Sequence, residues 1–229
     1  QMTYGEEVRV IEGVRRANPV LAGTVHFDVS SNGTAVFLPG PATTTLSPQF
    51  GLALSTQNGS LELLKLPPGS YQAPRVSPDG KRLAFTSESR NVRLWLFRFD
   101  ANHSATRGNG QALTSPGTTA WEQTMSRDGK KIAVVGIRAG RWDLWEKSLV
   151  DGHETPILMD EYRRHYPQWS PDGTQLAYVR QGPTSQDMQL MVWSSQNHTE
   201  EALTASLSDD VLVYDWSPDG KQLLLSRSN

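Results

Sequence analysis

Short apolar runs alternate with polar turn residues along almost the whole chain. Leu83–Phe85, Ile132–Val134 and Leu176–Tyr178 are clear examples, and each follows an Asp-Gly pair by a few residues. Runs of this length, bounded by Gly, Pro, Asn and Asp, are typical of β-strands. The nearest approach to a helical pattern, at 60–66, is short and is followed by Pro67-Pro68. The pattern therefore predicts an all-β protein.

One four-residue motif recurs at nearly constant spacing. Its serines stand at 30, 77, 126, 170 and 217, between 44 and 49 residues apart, and an apolar residue precedes each of them. A period of about 40–50 residues with short strands is that of a β-propeller blade. Asp-Gly and Asn-Gly pairs favour tight hairpin turns. We therefore predict a structural turn at each pair: Asn32, Gly33, Asp79, Gly80, Asp128, Gly129, Asp172, Gly173, Asp219 and Gly220.

The spacing predicts one β-propeller domain over 1–229 with about five four-stranded blades. Four blades are predicted at about 24–66, 71–115, 120–158 and 164–204. The fifth is predicted to combine 211–229 with 2–12, so that strands from the two ends of the sequence close the ring and leave no exposed sheet edge. The alternative is part of a six-bladed propeller.

These repeats resemble the TolB-type family of WD-like β-propeller repeats. The resemblance is carried by 76–85, 169–178 and 216–223 and by Trp-Asp-Leu-Trp at 142–145, and it extends over about 25–227. The first repeat departs from the pattern, with Asn32 in the Asp position. The repeats are also similar to propellers attached to bacterial membrane-bound kinases and winged-helix regulators. That similarity implies an extracytoplasmic sensor or docking module, although a fold does not fix a function.

Charge and composition exclude several classes of partner. The 22 basic and 24 acidic residues are mixed along the chain, without the basic stripe of a nucleic-acid binder. No apolar run is long enough for direct membrane insertion. The first residues lack the pattern of a signal peptide, so we expect a mature chain or a piece of a longer one. We expect a periplasmic or other extracytoplasmic location, with the cytoplasm as the alternative, because the absence of cysteine fits either.

Sequence motifs of enzymes and cofactor sites are missing. The chain has neither Gly-x-Ser-x-Gly nor a P-loop, and no two of its five histidines have a metal-binding spacing. We therefore predict no catalytic residue, no metal and no cofactor.

Most tryptophans occupy repeat positions and are expected in the core, but Trp121 lies where the chain enters an inner strand. Loops leading into the inner strands converge at the axial mouth, where propellers bind their ligands. Aromatic, charged and amide residues at this place in successive blades form the predicted binding rim: Tyr71, Gln72, Trp121, Glu122, Arg164, His165, Asp209 and Asp210.

We expect a non-catalytic protein-interaction or sensory module with a protein or peptide partner. The alternative is a lectin-like module that binds a small saccharide or a peptide, with Trp121 and Tyr71 as stacking platforms. Separate pockets in each blade would favour the lectin, and one continuous patch would favour a protein partner. A further alternative is a hydrolase or lyase with Glu122 and His165 as its acid/base pair, which requires both side chains to approach a common point.

Overall fold

The computed structural model describes residues 27–37, 52–55, 61–64, 66, 70–89, 91–98, 110–115, 118–184, 187–205 and 211–227. Within these residues the chain forms strands and turns and no helix. Accordingly, no helix there is long and apolar enough to cross a membrane. The prediction of an all-β protein is confirmed.

The strands form four four-stranded antiparallel sheets and one two-stranded sheet. The first sheet contains β1 (Phe27–Val29), β2 (Ala35–Phe37), β3 (Ala53–Ser55) and β4 (Leu61–Leu63). The second contains β5 (Ser70–Val76), β6 (Arg82–Ser89), β7 (Asn91–Arg98) and β8 (Gln111–Ala112). The third contains β9 (Thr119–Met125), β10 (Lys131–Arg138), β11 (Arg141–Ser148) and β12 (Glu154–Leu158). The fourth contains β13 (Arg163–Trp169), β14 (Gln175–Gln181), β15 (Met188–Ser194) and β16 (Glu200–Ala202), and the last pairs β17 (Val211–Trp216) with β18 (Leu223–Arg227).

In the four larger sheets the strands pair in chain order, and the first strand of each sheet packs beside the first strand of the next. The inner strands β1, β5, β9, β13 and β17 therefore follow one another around a common centre, which is the arrangement of a β-propeller. The proposed closure of the ring by 2–12 lies outside the described residues. Ring closure and the number of blades stay predictions.

The apolar runs of the middle sheets are buried on both faces, which explains why these runs are continuous rather than alternating. In β18, by contrast, Leu224 and Leu225 are exposed. In β10, Ile132 and Val134 pack toward the second sheet, whereas Ala133 and Val135 pack toward the fourth. Successive side chains of a strand point to opposite faces, so a sheet placed between two others needs apolar residues at every position. The expected core tryptophans Trp145, Trp169 and Trp193 are buried in these interfaces.

The recurring motif forms the same turn in every sheet. In the third sheet the Ser126 hydroxyl lies 2.6 Å from Asp128 Oδ1 and accepts the amide of Lys131 at 3.0 Å. Asp128 Oδ1 also accepts the amide of Lys130 at 2.9 Å, and Gly129 has a φ of +64°. Partial burial alone would raise the pKa of Asp128. The hydrogen bonds and the neighbouring lysine cations together outweigh burial and lower this pKa. The motif is thus a hydrogen-bonded hairpin turn.

In the first and third repeats the residue two places before the motif serine links neighbouring inner strands. Asp28 Oδ2 accepts the amide of Val76 at 2.7 Å, and Thr124 Oγ1 accepts the amide of Trp169 at 3.4 Å. Burial raises the pKa of Asp28 and outweighs the nearby Arg75 guanidinium, which lowers it. The polar side chains along the inner strands are therefore used to hold one sheet to the next.

The inner strands β5, β9 and β13 each have a bulge three to five residues before the motif serine. Ala73-Pro74 in β5 and Tyr166-Pro167 in β13 stand opposite a single residue of the next strand, and Ala73 and Tyr166 have φ values of +46° and +55°. A bulge bends its strand and redirects the side chains around it. In β9 the corresponding extra residue is Trp121.

We expect Asp128→Ala to lower the free energy of unfolding at pH 7 by about 1 kcal/mol, because the amide of Lys130 loses its acceptor. Asp128→Asn should cost much less, since the amide oxygen of Asn32 performs the same task in the first repeat, accepting the Thr34 amide at 3.2 Å. Urea unfolding of both variants measures the difference.

The same comparison has a pH signature. A carboxylate whose pKa is lowered by folding stabilises the protein above its unfolded pKa of about 3.9, and that stabilisation is lost as the pH falls through the folded pKa. The gap in stability between wild type and Asp128→Asn should therefore narrow between pH 5 and pH 3. A gap independent of pH would contradict the assignment.

Candidate functional site

The candidate site lies at the end of the sheets opposite the motif turns, where β5, β9, β13 and β17 begin. We call this the rim end. Because neighbouring strands are antiparallel, the β10–β11 turn at Ala139-Gly140, the β12–β13 connection at 159–162 and residues 182–184 after β14 lie at the same end. Side chains from two sheets can therefore meet there.

Trp121 is exposed because β9 bulges at this residue. Ala120 pairs with Gly136 and Glu122 with Val135, which leaves Trp121 without an opposite residue, and 45% of its surface is exposed. A Cβ atom at Gly136 would overlap the backbone carbonyl oxygen of Thr119, so the close approach of the two strands requires glycine. The indole is thus presented by a bulge within a β-strand rather than by a loop.

Trp121 stands at one end of an aromatic group that crosses from the third sheet to the fourth. Its ring lies 6.4 Å from that of Trp142, at an angle of 23°. Trp142 lies 6.0 Å from the His165 ring, and the guanidinium carbon of Arg163 lies 5.5 Å from the Trp142 ring centre. We call Trp121, Trp142, Arg163, His165 and Tyr166 the tryptophan patch.

Glu122 joins the two sheets beneath this patch. One carboxylate oxygen accepts the backbone amide of Tyr166, and the other lies 3.4 Å from His165 Nδ1. Tyr166 is in the left-handed region at φ +55°, a conformation that costs free energy in a non-glycine residue and persists only when surrounding contacts hold it. Glu122 therefore fixes the backbone that carries His165 and Tyr166.

The pKa of His165 is raised above its ordinary value. Burial lowers it, but the hydrogen bond and negative charge of Glu122 together with a hydrogen bond to Gln181 outweigh burial and the repulsion of Arg163. His165 is consequently protonated to a greater extent near neutral pH than a histidine of ordinary pKa, and its positive charge lies next to the negative charge of Glu122.

A cleft of about 420 Å³ adjoins the patch. It lies between the β12–β13 and β14–β15 connections and is lined by Glu161, Tyr162, Arg163, Gln181, Gly182, Pro183 and Thr184. Arg163 and Gln181, which pair across β13 and β14, therefore belong to both the cleft and the surroundings of the patch. Among the described residues no group of three His, Cys, Asp or Glu side chains could hold a metal ion.

Two of the residues predicted for the rim are buried instead. Tyr71 is 6% exposed and packs edge-on against Phe85 at 5.0 Å, in the core between the first two sheets, and this burial raises its pKa. Arg164 is 2% exposed and donates to Asp160 at 2.8 and 2.6 Å. Neither side chain is part of the exposed surface.

The other predicted rim residues divide into two groups. Trp121, Glu122 and His165 are brought together at the boundary of the third and fourth sheets. Asp209, Asp210 and the side chain of Gln72 lie outside the described part of the chain.

Three residues of the patch were not predicted from the sequence. Trp142 belongs to the repeated third-strand motif, which suggested core packing, but it pairs with Ile137 one step from the turn at the rim end. Arg163 and His165 share one face of β13 because side chains alternate along a strand. This alternation could have placed Arg163 beside the predicted His165. The position of Tyr166 depends on its bulge, which cannot be predicted from the sequence.

The successive sheets and their inner strands define this chain as a β-propeller protein. The family model described as TolB beta propeller domain matches residues 52–229. The chain therefore belongs to the TolB beta propeller domain family.

Similar proteins agree with this assignment. TolB from Acinetobacter baumannii matches with a TM-score of 0.62 and 18% identity, over 86% of this chain and 45% of that one. A putative TolB from Agrobacterium tumefaciens matches with a TM-score of 0.66 and 17% identity, over 89% and 74%. Peptidases share the fold as well, at 11–14% identity. At such identities the likeness concerns the fold alone.

One curated relative is similar in sequence. The uncharacterized protein Atu1656 of Agrobacterium fabrum (strain C58) is 27% identical over 128 residues, which are 50% of this chain and 41% of that protein. The match thus spans about two fifths of that relative's length.

We expect Glu122→Gln to lower the pKa of His165, because the carboxylate charge is lost while the burial of the ring remains. The histidine C2 proton measured by NMR against pH reports the change, with His165→Gln as the assignment standard. Glu201→Gln, at an exposed glutamate of β16, is the control and should leave His165 unchanged.

The stability of the same variant should depend on pH in a defined direction. A histidine whose pKa is raised by folding stabilises the protein below its unfolded pKa of about 6.5, and this stabilisation is lost as the pH rises through the folded pKa. Glu122→Gln should therefore cost more at pH 5.5 than at pH 8.5. Equal costs at both pH values would be inconsistent with the Glu122–His165 pair.

We expect Asp160→Ala to lower the free energy of unfolding by roughly 2–3 kcal/mol, because Arg164 would remain buried without its carboxylate. This is below the cost for a fully buried pair, since Asp160 is 39% exposed. The double variant with Arg164→Leu should regain part of the loss by removing the stranded charge. Thermal unfolding checks this, with the exposed Asp151→Ala as the control, and a single-variant loss no larger than the control's would refute it.

Proposed function

We propose that this propeller is a non-catalytic interaction module that binds a protein or peptide partner at the tryptophan patch. The observation that carries the proposal is Trp121, an indole 45% exposed on a rigid strand and stacked against Trp142. Exposed aromatic and arginine side chains that are fixed before binding supply much of the binding energy of interfaces, because little conformational entropy is lost. Membership of the TolB beta propeller domain family supports an interaction module.

The shape of the site supports a protein partner over a saccharide. Among the described residues the aromatic and cationic groups form one continuous patch across two sheets, not separate pockets in each sheet. The place of Trp142 in the third sheet corresponds in the fourth to Met188, which packs partly in the core. Glu122, which a sugar hydroxyl would otherwise approach, already binds Tyr166 and His165.

An acid/base role for Glu122 and His165 has one observation in its favour, the 3.4 Å between Oε1 and Nδ1. We nevertheless assign the pair a structural role. The other oxygen of Glu122 accepts the Tyr166 amide, and Gln181 contacts the His165 side chain. Both groups therefore have partners within the fold, which suits a link between two sheets.

A sensory role and an extracytoplasmic location are part of the proposal. Both are supported by the family to which the chain belongs and by the type of repeat. A rigid scaffold with its partner site on one end is suited to recognising a segment presented by another envelope protein.

The test is selection of binders from a random 12-residue peptide display library. We expect peptides enriched on the wild-type protein to lose at least about ten-fold in affinity for Trp121→Ala/Trp142→Ala, a loss of about 1.4 kcal/mol or more. Fluorescence polarisation of the labelled peptides measures the affinities.

The control is Val150→Ser, which changes an apolar residue 76% exposed in the β11–β12 turn, at the opposite end of the sheet. This variant should bind as the wild type does. All variants are compared only after their thermal unfolding midpoints show that they are folded. Enriched peptides that bind equally well to the double variant would rule out the patch as the partner site.

A further inference from the structure

The tryptophan patch is bordered by one arginine without a carboxylate partner among the described residues and by a second arginine whose ion pair is long. Arg163 is exposed, and no carboxylate among the described residues lies within 4 Å of its guanidinium nitrogens. Arg141, at the β10–β11 turn, is 64% exposed and reaches only 3.9 Å from Asp143 Oδ1. Both therefore have hydrogen-bond donors available to a partner.

The acidic residues around the patch are, in contrast, mostly engaged. Glu122 binds Tyr166 and His165, and Asp160 binds Arg164. Glu161 is an exposed carboxylate, and it lies on the β12–β13 connection at the border of the cleft. Arg163 thus places a positive charge beside Trp142, and a protonated His165 offsets the negative charge of Glu122.

The cleft next to Arg163 can accommodate a ligand group that contacts this positive charge. Its volume of about 420 Å³ is large enough for one or two side chains, and Arg163, Gln181 and Thr184 supply donors along its wall. An arginine fork binds a carboxylate through two parallel hydrogen bonds. The stacking of Arg163 on Trp142 holds the guanidinium plane beside the indole surface, so one ligand segment can contact both.

We propose that the patch and the cleft together bind an acidic, extended peptide segment of the partner. Its carboxylates contact Arg163 and Arg141, and an apolar or aromatic side chain next to them packs on Trp121. This inference rests on the proposed function and adds the chemistry of the partner. Opposite charge on a rim accelerates association and excludes basic competitors, while the indole supplies apolar contact area.

The experiment uses the complete chain and the same random 12-residue library, whose members span net charges from negative to positive. We expect the enriched peptides to be acidic relative to the unselected library. The most enriched peptide is then synthesised in two forms, one as selected and one with every Asp and Glu replaced by Asn and Gln. The second form should bind at least about ten-fold more weakly at 50 mM NaCl, and the difference should shrink at 500 mM.

The matched variants are Arg163→Ala and Arg127→Ala. Arg127 is also exposed, but it lies in a motif turn at the opposite end of the sheet. We expect Arg163→Ala to weaken the acidic peptide about ten-fold and the neutral form little, and Arg127→Ala to change neither.

Three results would overturn the inference, and they differ in what they say about the proposed function. Neutral or basic enriched peptides that still depend on Trp121 would refute the acidic partner and leave the interaction site in place. Acidic peptides weakened equally by Arg163→Ala and Arg127→Ala would indicate attraction to the whole surface rather than to this site. No enrichment by the wild-type protein would overturn both.

Discussion

Burial of both faces of the middle sheets is the constraint on which the rest of this structure depends. An apolar run such as that of β10 cannot be satisfied by a single partner layer, because its alternate side chains point in opposite directions. Sheets that are each covered on both sides must stand next to one another like blades, and their first strands then converge. The rim end, where strands from neighbouring sheets begin side by side, is a direct result of that packing. The packing of the core thus determines where the site lies, and the residues at the rim end determine its chemistry.

The sequence alone predicts the turns and the order of the strands, but not the composition of the patch. The turns were predictable, because Ser126, Asp128 and Gly129 interact only with neighbours a few positions away. The order of strands followed from the spacing of such turns. Tyr71 and Arg164 both stand six residues before a motif serine, and both are buried. The rim prediction grouped each of them with the next residue along, although one step along a strand reverses the face of the sheet. Trp142 was overlooked because its motif in the repeat indicates packing, and only the register with β10 places it next to the exposed indole.

Electrostatics and backbone geometry are coupled in the candidate site. Glu122 compensates an unfavourable left-handed residue, Tyr166, with a charge-assisted hydrogen bond, and the same carboxylate favours the protonated form of His165. A single side chain therefore influences the shape of the patch and its charge. The surface beside Trp142 is positive at Arg163, which has no carboxylate partner among the described residues, whereas Glu122 is used within the fold.

The inner-strand bulges have a consequence for how a chain of near-identical repeats reaches one fold. Repeats of similar sequence can exchange partners during folding, and such misassembly is a characteristic failure of repeat proteins. Pro74 and Pro167 have no amide hydrogen, so a one-residue slip of β5 or β13 would bring a proline where the ladder needs a donor. The β9 bulge uses Trp121 instead and requires Gly136 opposite. The prolines of β5 and β13 stand at the same place in their repeats, whereas β9 has no proline there, so β9 is a poor substitute for either strand.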